Sequence, residues 1–130
     1  MNIPADLVYA ETDEWVRAEN MTATIGVTDY AQDQLSDVVY VEIIVAVGEN
    51  ISKGQQIATI ESVKAAADVN SPVSGKVVAV NDDLAQTPEM VNKDPFGQAW
   101  MVKIEMQEPA EVAAMMNADA YQAYCAERSH

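Results

Sequence analysis

The chain is poor in the residues on which most catalytic centres are built. Of its 130 residues, one is histidine (His130) and one is cysteine (Cys125). A lone cysteine excludes an internal disulfide and agrees with a reducing compartment. With no second thiol or base in sequence reach, Cys125 reads as a buried helix residue and not as a redox thiol. A Ser/His or Cys/His nucleophile system would have to recruit the tail residue His130, which makes it a poor candidate. A transition-metal site lacks nitrogen and sulfur donors, and the carboxylates are scattered. Asp82-Asp83 reads as a solvated turn. The five glycines are expected in hairpin turns, and none opens a strand-to-helix phosphate loop. Positive charge is scarce as well: seven Lys and Arg stand against 21 Asp and Glu, a formal net charge of −14. Such a surface repels nucleic-acid phosphates and anionic lipid, so neither is expected as a partner. No apolar run approaches membrane-spanning length. Met1–Asp6 looks like neither a secretory signal nor an Arg-rich transit peptide. The chain is therefore expected in the cytoplasm, or in a mitochondrial matrix only if a transit peptide has been removed.

What is present is a hydrophobic share of 49%, enough for one domain with a sizeable core. The apolar residues recur with strand periodicity. Leu7-Val8-Tyr9 reads as a short strand, Ala10 to Asp13 as a polar turn, and 15–19 with 21–27 as a hairpin. In its second arm Met21, Ala23, Ile25 and Val27 share one face, the pattern of a half-buried strand. Thr28 and Asp29 are candidate caps for a short helix over Tyr30–Leu35. Val38 to Val45 is dense in β-branched residues and is expected to be a strand buried on both faces. Glycine turns near Gly48 and Gly54 precede a strand at Ile57–Ile60, and Val77–Val80 is another. Two similar half-units, about 48–61 and 69–81, flank residue 64 as a weak pseudo-repeat. Thr87-Pro88 predicts a capped helical turn through Val91, and Asp94-Pro95-Phe96-Gly97 a tight turn. In the closing strand Trp100, Val102 and Ile104 fall on one face. Beyond Pro109 the pattern is helical, with Val112, Met115 and Met116 on one stripe. Asn117 is expected to cap a last helix carrying Tyr121, Tyr124 and Cys125. The reading is one domain over 1–130, with 109–130 a helical segment packed on it.

The chemistry concentrates at Lys64. Ile57–Ile60 and Ala66–Val69 alternate on either side of a short polar break, which predicts a hairpin with Lys64 near its exposed tip. A lysine there is accessible to a modifying enzyme, and an arm attached to it can swing. Glu61-Ser62-Val63-Lys64-Ala65-Ala66, with Asp68 and Ser71-Pro72-Val73-Ser74-Gly75, resembles the lipoyl-lysine motif of the glycine cleavage system H protein family. Glu14-Trp15-Val16, Gly26 to Gln32, and Asp94-Pro95-Phe96-Gly97 with Trp100 are similar to that family too.

The resemblance implies an all-β sandwich-barrel hybrid of the lipoyl/biotinyl carrier kind, with short helices and a helical C-terminus. It implies a carrier without a catalytic centre, bearing lipoate in amide linkage on Lys64. Its implied partners are a pyridoxal-phosphate glycine decarboxylase, a tetrahydrofolate-dependent aminomethyltransferase, the FAD enzyme dihydrolipoamide dehydrogenase, and a lipoate ligase or lipoyl transferase. A monomer is expected. Glu14, Thr12 and Asp68 match positions where the family parks the loaded arm, and a carboxylate there suits a primary ammonium. There are departures. Asp13 stands where the family usually has histidine, and Ser36 where it often has glycine, at a φ > 0 turn. The 42–48 segment is one residue longer, lacks the customary proline and is a place for a bulge. Ala67 replaces a common serine. Three other readings stay open: an H-protein-like carrier serving lipoyl relay or another pathway, a biotin carrier, and an unmodified interaction module. The biotin reading is weakened because Val63-Lys64-Ala65 lacks a Met-Lys-Met surround.

Overall fold

The computed structural model describes residues 1–128; His130, and with it the end of the expected 109–130 segment, lies outside the described residues. The chain folds into two antiparallel sheets. The larger has six strands in the order β1 (Val8–Tyr9), β2 (Glu14–Glu19), β3 (Thr22–Val27), β9 (Val102–Met106), β8 (Gly75–Val80), β5 (Asn50–Ile51). The smaller has three, in the order β4 (Val38–Ile43), β6 (Gln56–Ser62), β7 (Ala66–Asn70). β5 pairs with β8 and β6 with β7, so the two half-units around residue 64 meet strand on strand. The main core lies between the sheets and includes Ile25, Ile57, Ile60, Val77 and Ile104, all fully buried. This is the all-β sandwich expected, with α1 (Asp29–Leu35), α2 (Met90–Lys93), α3 (Ala110–Ala113) and α4 (Ala118–Arg128) as its helical parts.

Several local expectations are altered by tertiary packing. β3 is not half-buried. Ala23, Ile25 and Val27 enter the core, while Thr24 is covered on the opposite face and Met21 stands exposed before the strand begins. The Trp15 indole lies so close over Gly26 on that face that a methyl there would be 2.7 Å from the ring. Trp15 is pinned by its Nε1–H, which donates to Pro95 O at 3.0 Å across 80 residues. Gly26 is therefore a strand glycine and not a turn glycine. β4 is the reverse case. Expected to be buried on both faces, it is an edge strand with Val39 and Tyr40 exposed, and the pairing slips between Val38 and Tyr40. The bulge thus falls ahead of the 42–48 segment, and the strand ends at Ile43.

Trp100 precedes β9 and packs against a second apolar cluster, whereas Val102 and Ile104 belong to the main core. Thr87 is not a cap: its hydroxyl donates to Asp83 O, and α2 starts only at Met90. The helical tail is broken in two. Met116 forms an isolated antiparallel bridge with Tyr9, through Tyr9 N–H to Met116 O at 2.8 Å and Met116 N–H to Tyr9 O at 3.0 Å. Asn117 then caps α4, its Oδ1 accepting from Ala120 N–H at 2.8 Å. α4 inserts Tyr121 and Cys125 into that second apolar cluster with Leu7, Tyr9, Trp15 and Tyr30, and Tyr9 stacks on Tyr121 with ring centroids 4.6 Å apart. Thr28 caps α1, accepting from Ala31 N–H.

Candidate functional site

Lys64 stands exposed in the turn that joins β6 to β7. Ser62 builds that turn. Its N–H donates to Ala65 O at 2.7 Å, and its hydroxyl oxygen accepts from the N–H groups of Ala65 at 3.0 Å and Lys64 at 3.3 Å. A serine that bonds the backbone two and three residues on is a local turn former. Val63 N–H donates to Asp37 O at 3.0 Å, tying the tip to the residue before β4. The backbone of the tip is thus held by five residues while the Lys64 side chain projects from it. The neighbours are small or also exposed: Ala65, Ala66 and Val63.

Beside this hairpin lies a cleft of about 190 Å³. Thr12, Glu14 and Asp68, separated in sequence by up to 56 positions, all line it. α1 contributes Ala31 and Leu35, β3 contributes Val27, and the hairpin contributes Ile60, Ala67 and Val69. Glu14 is buried, with only 1% of it exposed. Both of its oxygens are engaged: Oε1 accepts from the Thr12 hydroxyl, and Oε2 from Asn70 N–H at 3.1 Å. Burial pushes the Glu14 carboxyl up to about 7; the Thr12 and Asn70 hydrogen bonds oppose this, and the Asp13 carboxylate adds to it. Asp68 is exposed, and its Oδ1 accepts from Gln56 Nε2 at 3.0 Å.

Asp13 turns out to be spoken for. It adopts φ 74°, and its carboxylate accepts from Tyr121 Oη at 2.8 Å and from both terminal nitrogens of Arg128, at 2.7 and 3.1 Å. Its charge is therefore paired toward α4. The parts of the site that sequence reasoning missed are the α1 wall and the Asn70 and Gln56 contacts. Only Ser62 carried a local signal, as a serine two places before the lysine. A larger hollow of about 390 Å³, between Tyr9, Pro72 and Met115, shares Thr12 but contains neither Glu14 nor Asp68. Among the described residues no group of three or more His, Cys, Asp or Glu could hold a metal, and no helix is long and apolar enough to cross a membrane.

A two-sheet β sandwich that presents a lysine on a tightly tied hairpin tip, beside a cleft with a buried carboxylate, has the construction of a small carrier domain. Comparison with known proteins narrows this. The family model for the glycine cleavage H-protein matches residues 7–128, so the chain belongs to that family. It is 49% identical over 119 residues to the glycine cleavage system H protein of Thermotoga maritima, covering 92% of this chain and 95% of that one. It is 48% identical over 122 residues to the mitochondrial H protein 2 of Arabidopsis thaliana, covering 94% and 78%. The crystal structure of the H protein from Mycobacterium marinum superposes with a TM-score of 0.84 at 27% identity, covering 98% of this chain and all of that one. The protein is accordingly a lipoyl carrier of the glycine cleavage system, not a catalyst, and it works with the components of that system.

Proposed function

We propose that Lys64 is the residue that takes the lipoyl group, and that Thr12, Glu14 and Asp68 line the cleft in which the loaded arm is sheltered. The observation that carries this reading is that the hairpin bearing the projecting Lys64 also supplies Ile60, Ala67, Asp68 and Val69 to a cleft with a buried carboxylate. The residues suit the group. Lys64 has room for amide formation, and the cleft offers apolar walls from Val27, Leu35 and Ile60 with carboxylates at Glu14 and Asp68. When bound, lipoate supplies a disulfide that accepts two electrons and a sulfur that carries the aminomethyl cargo. The chain's own residues do the rest. Thr12 and Asn70 orient the two Glu14 oxygens. Near neutral pH Glu14 is shared between acid and carboxylate, and an arriving ammonium shifts it to the carboxylate. A charge-assisted hydrogen bond of that kind contributes about 1.5–3 kcal/mol, enough to favour the inward position about ten-fold or more.

The specific partners we propose are the pyridoxal-phosphate glycine decarboxylase, the folate-dependent aminomethyltransferase, dihydrolipoamide dehydrogenase and a lipoate ligase or transferase. A tethered arm raises the effective concentration at each of them. We further propose one carrier domain over 1–130 with 109–130 packed on it, a monomer, working in the cytoplasm. The test is to incubate the chain with lipoate, ATP and a lipoate ligase, then map the adduct by digestion and mass. Modification at Lys64 alone is expected. Modification at Lys53 or Lys76, or none in a folded sample, would sink the assignment.

A further inference from the structure

We propose that Asp13, Arg128 and Tyr121 form a latch by which α4 holds the two walls of the cleft together, which makes them positioning residues for the arm; this rests on the shelter reading above. One wall is the turn that leads from Thr12 into Glu14. The other is α1, with Ala31 and Leu35. The latch touches both. Arg128 grips the Asp13 carboxylate through both terminal nitrogens, and its guanidinium lies 4.2 Å from the centre of the Tyr30 ring on α1 and 4.0 Å from that of Tyr124 on α4. A planar, forked cation between two rings is fixed in direction as well as charge. The Tyr121 hydroxyl bonds Asp13 Oδ1 at 2.8 Å and meets Thr28 Oγ1 at 2.6 Å. Thr28 is the cap of α1, and its N–H donates to Asp13 O at 3.0 Å. α4 and the start of α1 therefore converge on one residue of the turn, Asp13, α4 through its carboxylate and α1 through its backbone carbonyl, next to Glu14.

The arrangement is more than a way to dock α4. That helix buries only Tyr121 and Cys125. The ion pair is placed at the junction of the two cleft walls, on the one residue that separates the two cleft groups Thr12 and Glu14. The left-handed backbone of Asp13 aims its side chain at α4 while Glu14 beside it is bound by Thr12 and Asn70. Such a conformation is costly for a non-glycine residue and is held in place by its surroundings.

The experiment compares wild type, Arg128→Ala, Tyr121→Phe and Glu14→Ala as full-length lipoylated chains. Amide hydrogen exchange is followed at Asn70, whose N–H is held by Glu14, at Thr28, whose N–H is held by Asp13, and at Val77 in β8, a strand that does not line the cleft, whose N–H is held by Glu49 O. The loaded forms are then scored for release of formaldehyde and ammonia in the absence of the folate enzyme. In both latch variants Asn70 and Thr28 are expected to exchange roughly ten-fold faster beyond any change at Val77. Release is expected to rise roughly three- to ten-fold, as in Glu14→Ala. Equal acceleration at all three amides means a general loss of stability and overturns the latch. So does faster release in Glu14→Ala with wild-type release in both latch variants. Unchanged release in Glu14→Ala instead overturns the shelter reading on which the latch rests. If Arg128→Ala does not fold, Tyr121→Phe, which removes one oxygen and keeps the ring packing, decides the matter.

Discussion

Glu14 is where single-residue physics is most consequential. Its folded-state value of about 7 lies above the ordinary 4.5, chiefly through burial. The sign follows from proton counting. Below pH 4.5 both folded and unfolded chains hold the proton, and nothing is lost. Between pH 4.5 and 7 the unfolded chain releases it first, so stability falls as pH rises, and the loss levels off above 7 at about 3 kcal/mol. Glu14→Gln keeps one oxygen to accept from Asn70 N–H, its amide NH2 donates to a Thr12 hydroxyl that turns to accept, and it carries no proton to lose. In the unmodified protein the variant should match wild type near pH 4.5 and exceed it by up to about 3 kcal/mol at pH 8. Urea unfolding at the two pH values measures this, and parallel stability curves would contradict it. Lys64 is the opposite kind of residue, since its side chain is exposed and only its backbone is tied down. Lys64→Arg should abolish lipoylation while changing stability by no more than about 0.5 kcal/mol.

At the scale of elements, two backbone positions carry the fold's tightest demands. The Trp15 ring closes over Gly26 in the paired strand and keeps that position of β3 buried. Gly26→Ala must displace the ring or the strand and should cost about 1–3 kcal/mol, with loss of the Trp15 bond to Pro95 visible as a change in tryptophan fluorescence. Ser36, at the end of α1, adopts φ 64° and ψ −148°, a region that suits glycine. Strain of this kind is worth roughly 1–3 kcal/mol, and glycine's greater unfolded freedom returns part of it. Ser36→Gly should therefore stabilise by about 1 kcal/mol, raising Tm by a few degrees. An unchanged or lowered Tm would show that the turn relaxes around serine.

Over the whole molecule the decisive quantity is the net charge of −14. Arg128 with Asp13 is the ion pair found among the described residues, so most of the acidic groups repel one another without local compensation. Raising ionic strength from about 0.01 to 0.15 M shortens the screening length from roughly 30 to 8 Å. Tm should rise over that range, and a flat or falling Tm would mean that the charges are already too far apart to matter. The same field should speed encounter with any partner whose docking site is basic at low salt, and the rate should fall as salt is added.

What could be read from the amino-acid order alone is whatever depends on neighbours a few residues apart. That includes the alternation of Ile57–Ile60 and Ala66–Val69, the turn between them, the Thr28 and Asn117 caps, and hence an exposed Lys64. These features need only backbone sterics, short-range hydrogen bonds and a pattern of apolar positions. Burial was decided elsewhere. The burial of Glu14 could not be read from its neighbours in sequence, because Asn70, which holds it, lies 56 residues away. β3 looked half-buried because the loop that fixes its Trp15 cover lies 80 residues away. β4 looked central because its composition suits a core, yet its place at the edge of a three-stranded sheet leaves Val39 and Tyr40 in water. The partner of Asp13 was equally hidden, because Arg128, which pairs with its carboxylate, lies 115 residues on. Local periodicity can say which side of a strand is apolar. Only the assembled fold sets how much water reaches a given carboxylate, and that is what sets its proton affinity.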